Sequence, residues 1–357
     1  MLKTLIAALV LLLVSLLLWS LPGSEEEPVE PPTHGLFENI VKDHSFFPYR
    51  IRLTQNLTSE NCPVFVQSGE SIVYTAETEM EMKDDGLFKE KETLSSQLFV
   101  LSLETGEKKR LSQKGDFDQF PKPSWSGDKV IFQGRRGGID LATELFYLEL
   151  SSARRVRLTD DGFAKGTPAL APGDSQCVFV SARCGICLLD LSTGGTESIY
   201  YRSGFFRWTR LPQLPDMPSF SPDGKTIVFQ SELTRKRLFS MSSHGHRISL
   251  LTPHEENCFH PAFSPDGRHI LFVSDHDGND DLYLLTLSDM ILTQITFDTD
   301  DKAHPSFSPD GERIVFASKP KGSEDYYYDL FIVSTKPVDL PWGGEDHEVA
   351  VENPEGI

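Results

Sequence analysis

Three stretches of this sequence are near copies of one another. "MPSFSPDGKTIVFQSE" begins at Met217, "HPAFSPDGRHILFVSD" at His260 and "HPSFSPDGERIVFASK" at His304. Their shared Ser-Pro-Asp-Gly has the preferences of a type I turn: Ser first, Pro with its fixed φ second, Asp third, Gly fourth. A short apolar stretch precedes the turn, and a run of β-branched and aromatic residues follows it. That pattern reads as strand, tight turn, strand. A third strand recurs downstream, as "QLFVLSL" at Gln97, "ELFYLEL" at Glu144, "GICLLDL" at Gly185, "DLYLLTL" at Asp281 and "DLFIVST" at Asp329. A short fourth strand ends in Leu-Ser, Leu-Thr or Ile-Thr, as at Leu111–Ser112, Leu158–Thr159, Leu251–Thr252 and Ile295–Thr296; Ile199–Tyr200 is a weaker copy.

The spacing turns these motifs into an architecture. Phe220 and Phe263 are 43 residues apart, and Phe263 and Phe307 are 44 apart. Eroded copies begin at Pro63, Pro123 and Pro168, which makes six units. A four-stranded unit repeated at this period predicts an all-β fold, a six-bladed β-propeller of four-stranded blades. The second and third strands are apolar at successive positions, as in Ile270, Leu271, Phe272 and Val273. Such a sheet has two faces to hide, so each unit needs a neighbour on both sides. The sixth unit, from Pro305, has three strands. The segment "RLTQNLTS" before the first unit ends in Leu57–Thr58 and matches "ILTQITF" of unit five. Leu53, Leu57 and Thr58 are therefore expected in the outer strand of the last blade, beside "DLFIVST", closing the ring.

The expected organisation has four parts. Residues 1–23 hold Lys3 and an apolar run from Leu5 to Leu21, a signal peptide or N-terminal membrane anchor. Lys3 before the run and Glu25–Glu27 after it place the bulk of the chain outside the cytoplasm. Residues 24–50 form an acidic, Pro-rich linker, 51–335 the propeller, and 336–357 a flexible acidic tail. The formal net charge of −19 disfavours nucleic acid and an anionic membrane surface as partners. Membrane contact is expected through the N-terminal segment only.

The phrase His/Met-Pro-x-Phe-Ser-Pro-Asp-Gly, followed by an apolar strand and Asp-Leu-Tyr/Phe, resembles the TolB-type propeller repeat, which also occurs in prolyl oligopeptidase-like enzymes. The resemblance spans roughly residues 51 to 335 and is sharpest in the last three units. It implies an extracytoplasmic, periplasmic or cell-envelope propeller that serves as a binding platform for a protein or envelope polymer at one face. The separate α/β domain that precedes the propeller in the family's periplasmic members is not expected here, because only about 25 tether residues separate the apolar run from the first strand. The Gly-x-Ser-x-Gly elbow of the peptidase relatives does not occur in this sequence.

Candidate site residues follow from the placement of loops. Connections leading into the inner strands share a face with those joining the second and third strands. That face carries the longest loops, "TEMEMKDDGLFKEKETLSS" and "YRSGFFRWTRLPQLPDM" among them. Phe206 and Trp208 in the latter are of the types that dominate binding hot spots. His260, His304, Asp301, Glu60 and Asn61 are expected at the channel mouth on the same face. No cofactor is expected. The competing reading is a metal-dependent lyase or hydrolase, with His260 and His304 joined by carboxylates in the channel, as in the related propeller of oligogalacturonate lyase. "CGIC" at Cys184–Cys187 puts Cys187 in the aromatic slot of a third strand, which favours packing or a local disulfide over a redox or zinc site. Asp-Gly within "DHDGNDD" at Asp275 is read as a hairpin turn rather than a calcium loop, whose Gly would come sixth.

Overall fold

The structure is a computed structural model that describes residues 40–42, 45–55, 59–66, 69–84, 89–113, 115–136, 142–200, 214–232, 235–252, 256–322, 327–338 and 340–342, with the backbone alone over 78–94. All regular elements are strands, and among the described residues there is no α-helix. The strands pair into four-stranded antiparallel units that follow the sequence repeat. Unit three pairs Lys165–Leu170, Gln176–Ser181, Gly185–Asp190 and Thr196–Tyr200 in chain order. Unit four does the same with Pro215–Phe220, Thr226–Glu232, Lys236–Ser242 and Ser249–Leu250. Unit five uses Cys258–Phe263, His269–Ser274, Asp281–Thr286 and Ile291–Gln294. Units one and two repeat the pattern from Glu60–Val66 and Phe117–Pro123, and a single parallel bridge, Ser96 to Phe117, runs their sheets together. Each inner strand packs beside the next, and that of the last unit, Asp301–Phe307, packs beside Glu60–Val66.

The turns behave as their residues dictate. In unit four the Gly224 N–H donates to Ser221 O, the Ser221 hydroxyl donates to Asp223 Oδ1 at 2.6 Å, and Thr226 N–H donates to Ser221 Oγ. The set recurs at Ser264 and Ser308. Gly267 has φ +71°, and a methyl group there would lie 3.4 Å from Pro222 Cδ of the preceding unit. The neighbour leaves room for that methyl group, so it is the left-handed turn conformation that specifies glycine. The core alternates between units. The second and third strands stack one aromatic pair per unit, Tyr74 on Phe99, Phe132 on Phe146, Phe229 on Phe239, Phe272 on Tyr283 and Phe316 on Phe331, with centroids 5.8 to 6.0 Å apart. Unit three has Phe179 opposite Cys187 in that slot, and Cys187 is bonded to Cys184.

The last unit is composite. Tyr49–Arg52 is its outer strand, antiparallel to Asp329–Ser334. The pairing uses a different copy of the motif from the one expected: Leu53 and Thr54 stand at the terminal positions, and Leu57 and Thr58 lie outside the described residues. The reason is a hydroxyl. Thr54 Oγ1 accepts the Leu330 N–H at 2.9 Å, as Thr296 accepts from Leu282 and Thr252 from Leu238. The packing also extends past residues 51 and 335. Val41–Lys42 pairs in parallel with the outer strand of unit five, and Phe47 is buried. At the other end Leu340 is buried and the Trp342 indole N–H donates to Leu103 O in unit one. The long segment of unit one expected as a loop is instead a hairpin, with Ser71–Asp84 and Lys89–Ser102 paired out to Asp84 and Lys89.

Candidate functional site

Each inner strand carries a β-bulge at the residue before its proline. In unit five, His260 and Pro261 stand opposite the single residue Phe272. The residue before the proline is left-handed in every inner strand: Cys62, Phe120, Thr167, Met217, His260 and His304 have φ between +42° and +55°. Proline fits the break in the ladder because it has no N–H to leave unpaired. The left-handed residues point their own N–H groups at neighbouring units. Thr167 N–H donates to Gln133 Oε1, Met217 N–H to Thr167 Oγ1, His260 N–H to Gln230 Oε1 and His304 N–H to His260 Nδ1 at 3.1 Å. This belt of bulges surrounds a chamber of about 20 Å³ lined by Thr167, Met217, His260, His304 and Lys122, which has room for little more than one water molecule.

The structure brings the two histidines together. Their rings stack with centroids 3.8 Å apart, and Phe120 meets His304 edge-on. Since His260 Nδ1 accepts a hydrogen bond, its proton in the neutral ring sits on Nε2. Burial, then the neighbouring His304, then Lys236 and Lys122 hold His260 well below the ordinary histidine range. His304 is pushed down to about 3 by burial, Lys122 and Lys236. The pair is thus neutral and its charged neighbours are amines.

The carboxylates expected beside the histidines are engaged elsewhere. Glu60 is buried at the junction of units six and one, where its N–H donates to Tyr328 O at 2.9 Å and its carboxylate hydrogen-bonds with Tyr74. Asp301 opens the inner strand of unit six, close enough to Asp280 for its charge to help raise that carboxyl to about 6, after burial. Glu256 meets His276 at 3.2 Å, and Asp300 lies 3.7 Å from Arg50. Asn61 precedes the bulge of unit one, with its Oδ1 buried and unbonded. Among the described residues no group of three or more His, Cys, Asp or Glu is placed to hold a metal ion. Asp275 accepts from Asn257 and Asp277 pairs with Lys42, so the Asp-Gly segment is an occupied hairpin turn. Phe206 and Trp208 lie outside the described residues.

Two larger spaces flank the chamber. A cleft of about 750 Å³ opens between units three and four on the long-loop face, lined by Lys165, Asp216, Gln230, Glu232 and Lys236. It reaches Leu214, which is 78% exposed and is the first described residue after the segment carrying Phe206 and Trp208. A funnel of about 410 Å³ opens on the opposite face, among the Ser-Pro-Asp-Gly turns, with walls from every unit. Sequence reasoning looked only to the long-loop face and missed the funnel. The available signal was the residue just after each bulge proline, which is Ala or Ser in units three to six and Lys122 in unit two.

Comparison with known proteins agrees with this architecture. The TolB beta propeller domain matches residues 217–356. TolB from Acinetobacter baumannii is 20% identical with a TM-score of 0.54, over 67% of this chain and 60% of that one, so the chain spans less than two thirds of that protein. An oligogalacturonate lyase from Vibrio parahaemolyticus is 16% identical with a TM-score of 0.51, over 80% and 93%. The β-propeller domain of the Trilobed protease from Pyrococcus furiosus, described as having an open velcro topology, is 11% identical with a TM-score of 0.52, over 82% and 99%. No curated protein matches the sequence. The fold is all-β and propeller-like, and the repeats within residues 217–356 match the TolB beta propeller domain.

Proposed function

We propose that this chain, a carrier of TolB-type propeller repeats, is an exported, membrane-tethered platform that binds a protein or envelope polymer at its long-loop face. In this reading six blades close into a ring and residues 1–23 hold it to the membrane. Residues 1–39 lie outside the described part, and among the described residues no helix is long and apolar enough to cross a membrane. Closure is supported by the junction of units six and one, where Glu60 N–H donates to Tyr328 O as Lys302 N–H donates to Asp280 O one junction earlier. A ring of this kind is stiff, and binding residues are commonly presented on loops above such a scaffold.

The observation that carries the binding role is the cleft between units three and four. It is a wide space on the long-loop face, it mixes amines with carboxylates, and its lining includes Leu214, which follows the segment carrying Phe206 and Trp208 in the sequence. A partner would bury those rings and meet Lys236 and Glu232 at the cleft wall. The amines of Lys122 and Lys236 put positive charge beside the histidine pair, which disfavours a divalent cation there and supports binding over metal-assisted chemistry. The test is capture from a native membrane extract with the full chain. Phe206→Ala with Trp208→Ala should abolish capture of the partner and leave the melting curve in place. Full capture by that variant would put binding on another face, and loss of folding would make the two rings part of a blade interface.

A further inference from the structure

The funnel on the turn face holds one residue out of keeping with its place. Around the axis, the position after each bulge proline is Val64, Lys122, Ala169, Ser219, Ala262 and Ser306. Four of these are small, and Val64 is packed in the apolar core. Lys122 alone brings a long cationic side chain to the channel wall, where it lines both the funnel and the chamber above it. Among the described residues it makes no ion pair and no side-chain hydrogen bond. Lys122 is half-buried, whereas the two fully buried lysines are paired, Lys165 with Glu144 and Asp161 and Lys302 with Asp281 and Asp298. A partly desolvated amine without a counter-charge is left to pair with an anion that enters the funnel. Burial lowers its pKa, and no carboxylate acts to raise it.

The rest of the funnel mixes phenylalanine and proline side chains with serine hydroxyls such as those of Ser219, Ser264 and Ser306. Phe220, Phe263 and Phe307 contribute to its wall, with Pro222, Pro265 and Pro309 of the turns at its rim. Its volume falls in the range of small-molecule sites, which pair an apolar lining with a few placed polar groups. The narrow chamber closes its inner end, so it suits a ligand with one charged terminus pointing inward. We propose that the funnel is a binding site for a small monocarboxylate with an apolar body, its carboxylate paired with Lys122 and its body against Phe220, Phe263 and Phe307. This site is on the face opposite the proposed partner surface and stands independently of it.

The experiment is calorimetric titration of the full chain with 4-phenylbutyrate, its neutral amide and galacturonate. The acid should bind, at least about tenfold more tightly than the amide, the effect of one charge-assisted hydrogen bond in a partly buried site. Lys122→Met, which keeps the length of the stem, should remove that preference. Ser219→Phe, which fills the funnel and leaves the amine, should remove binding of the acid altogether. Binding of the acid should weaken as the pH is raised and Lys122 loses its proton. The proposal is overturned by equal binding of acid and amide, by undiminished preference in Lys122→Met, by tighter binding of galacturonate than of the acid, or by no heat from the acid up to about 10 mM, a concentration that would detect even a weak site.

Discussion

Units five and six are near copies in structure and opposites in chain connectivity. Unit five is one continuous stretch, its outer strand Ile291–Gln294 following its third strand Asp281–Thr286 through a tight turn. Unit six borrows its outer strand, Tyr49–Arg52, from the other end of the chain. The contacts nonetheless coincide. Ile295 N–H donates to Leu282 O at 2.9 Å, and Leu53 N–H donates to Leu330 O at 2.7 Å. The acceptor hydroxyls of Thr296 and Thr54 both lie 2.9 Å from their leucine N–H groups. What differs is the acid at the start of the third strand. Asp281 accepts from Thr296 at 2.6 Å and faces the buried Lys302, whereas Asp329 pairs with Arg52 of the borrowed strand. The outer strand of unit five is also covered by Val41–Lys42. The lesson is that the repeat specifies atoms rather than connectivity: a segment that supplies Leu-Thr in register completes a unit from either end of the chain.

The comparison is broken most forcefully by truncation. A chain beginning at Ser59 loses Ile51 and Leu53 from the core and the whole outer ladder of unit six. Its midpoint should fall by about 10 °C or more in thermal unfolding, from lost burial and an exposed sheet edge. A chain beginning at Tyr49 loses the cover on unit five and Phe47, and should fall by only a few degrees. Equal losses from the two truncations would mean that the borrowed strand contributes nothing of its own.

Point substitutions sharpen the same contrast. Thr54→Ala leaves the buried Leu330 N–H without an acceptor and should destabilise by about 1–3 kcal/mol in denaturant titration. Thr296→Ala does the same to Leu282 and also removes the hydroxyl donor from Asp281, so it should cost more. The reverse order would contradict the assigned role of Asp281.

The smallest effect concerns the histidine stack where units five and six meet. His304 titrates near 3 in the folded chain, and His260 well below its usual 6.5. The unfolded chain takes up these protons near 6.5 and the folded chain does not. Stability is therefore lost as the pH falls from about 6.5 towards 3. The double variant His260→Gln, His304→Gln should show a shallower loss in that window and little change at pH 8, measured by denaturant midpoints. An unchanged acid limb would mean that the two rings are protonated in the folded chain.

Much of this was legible in the sequence because it depends on neighbours in the chain. Ser-Pro-Asp-Gly makes its turn from its own side chains, and the alternation of apolar residues announces sheets covered on both faces. Cys187 was legible as an occupant of an aromatic slot. The bulge belt was not. Its left-handed residues are Cys, Phe, Thr, Met and His, types that share no preference for that conformation, and the close approach of neighbouring inner strands imposes it. Register at the outer strand of unit six was missed because "RLTQNLTS" contains two Leu-Thr pairs, and only the position of the Leu330 N–H selects Leu53–Thr54. The expected channel-mouth cluster dispersed for a similar reason. Glu60 is drawn into a junction, at the position Lys302 holds in unit six, and Asp301, one position earlier in its own unit, stands beside Asp280. Only the histidines, which occupy the bulge itself, were brought into contact.

Native-state hydrogen exchange at two amides tests the central claim, that the borrowed strand completes unit six as the hairpin strand completes unit five. Leu330 N–H is held by Thr54 and Leu282 N–H by Thr296, at the same distance. The account predicts that both exchange only through global unfolding, with the same free energy and the same dependence on denaturant. Leu330 exchanging through a lower-energy opening, with Leu282 still fully protected, would contradict it.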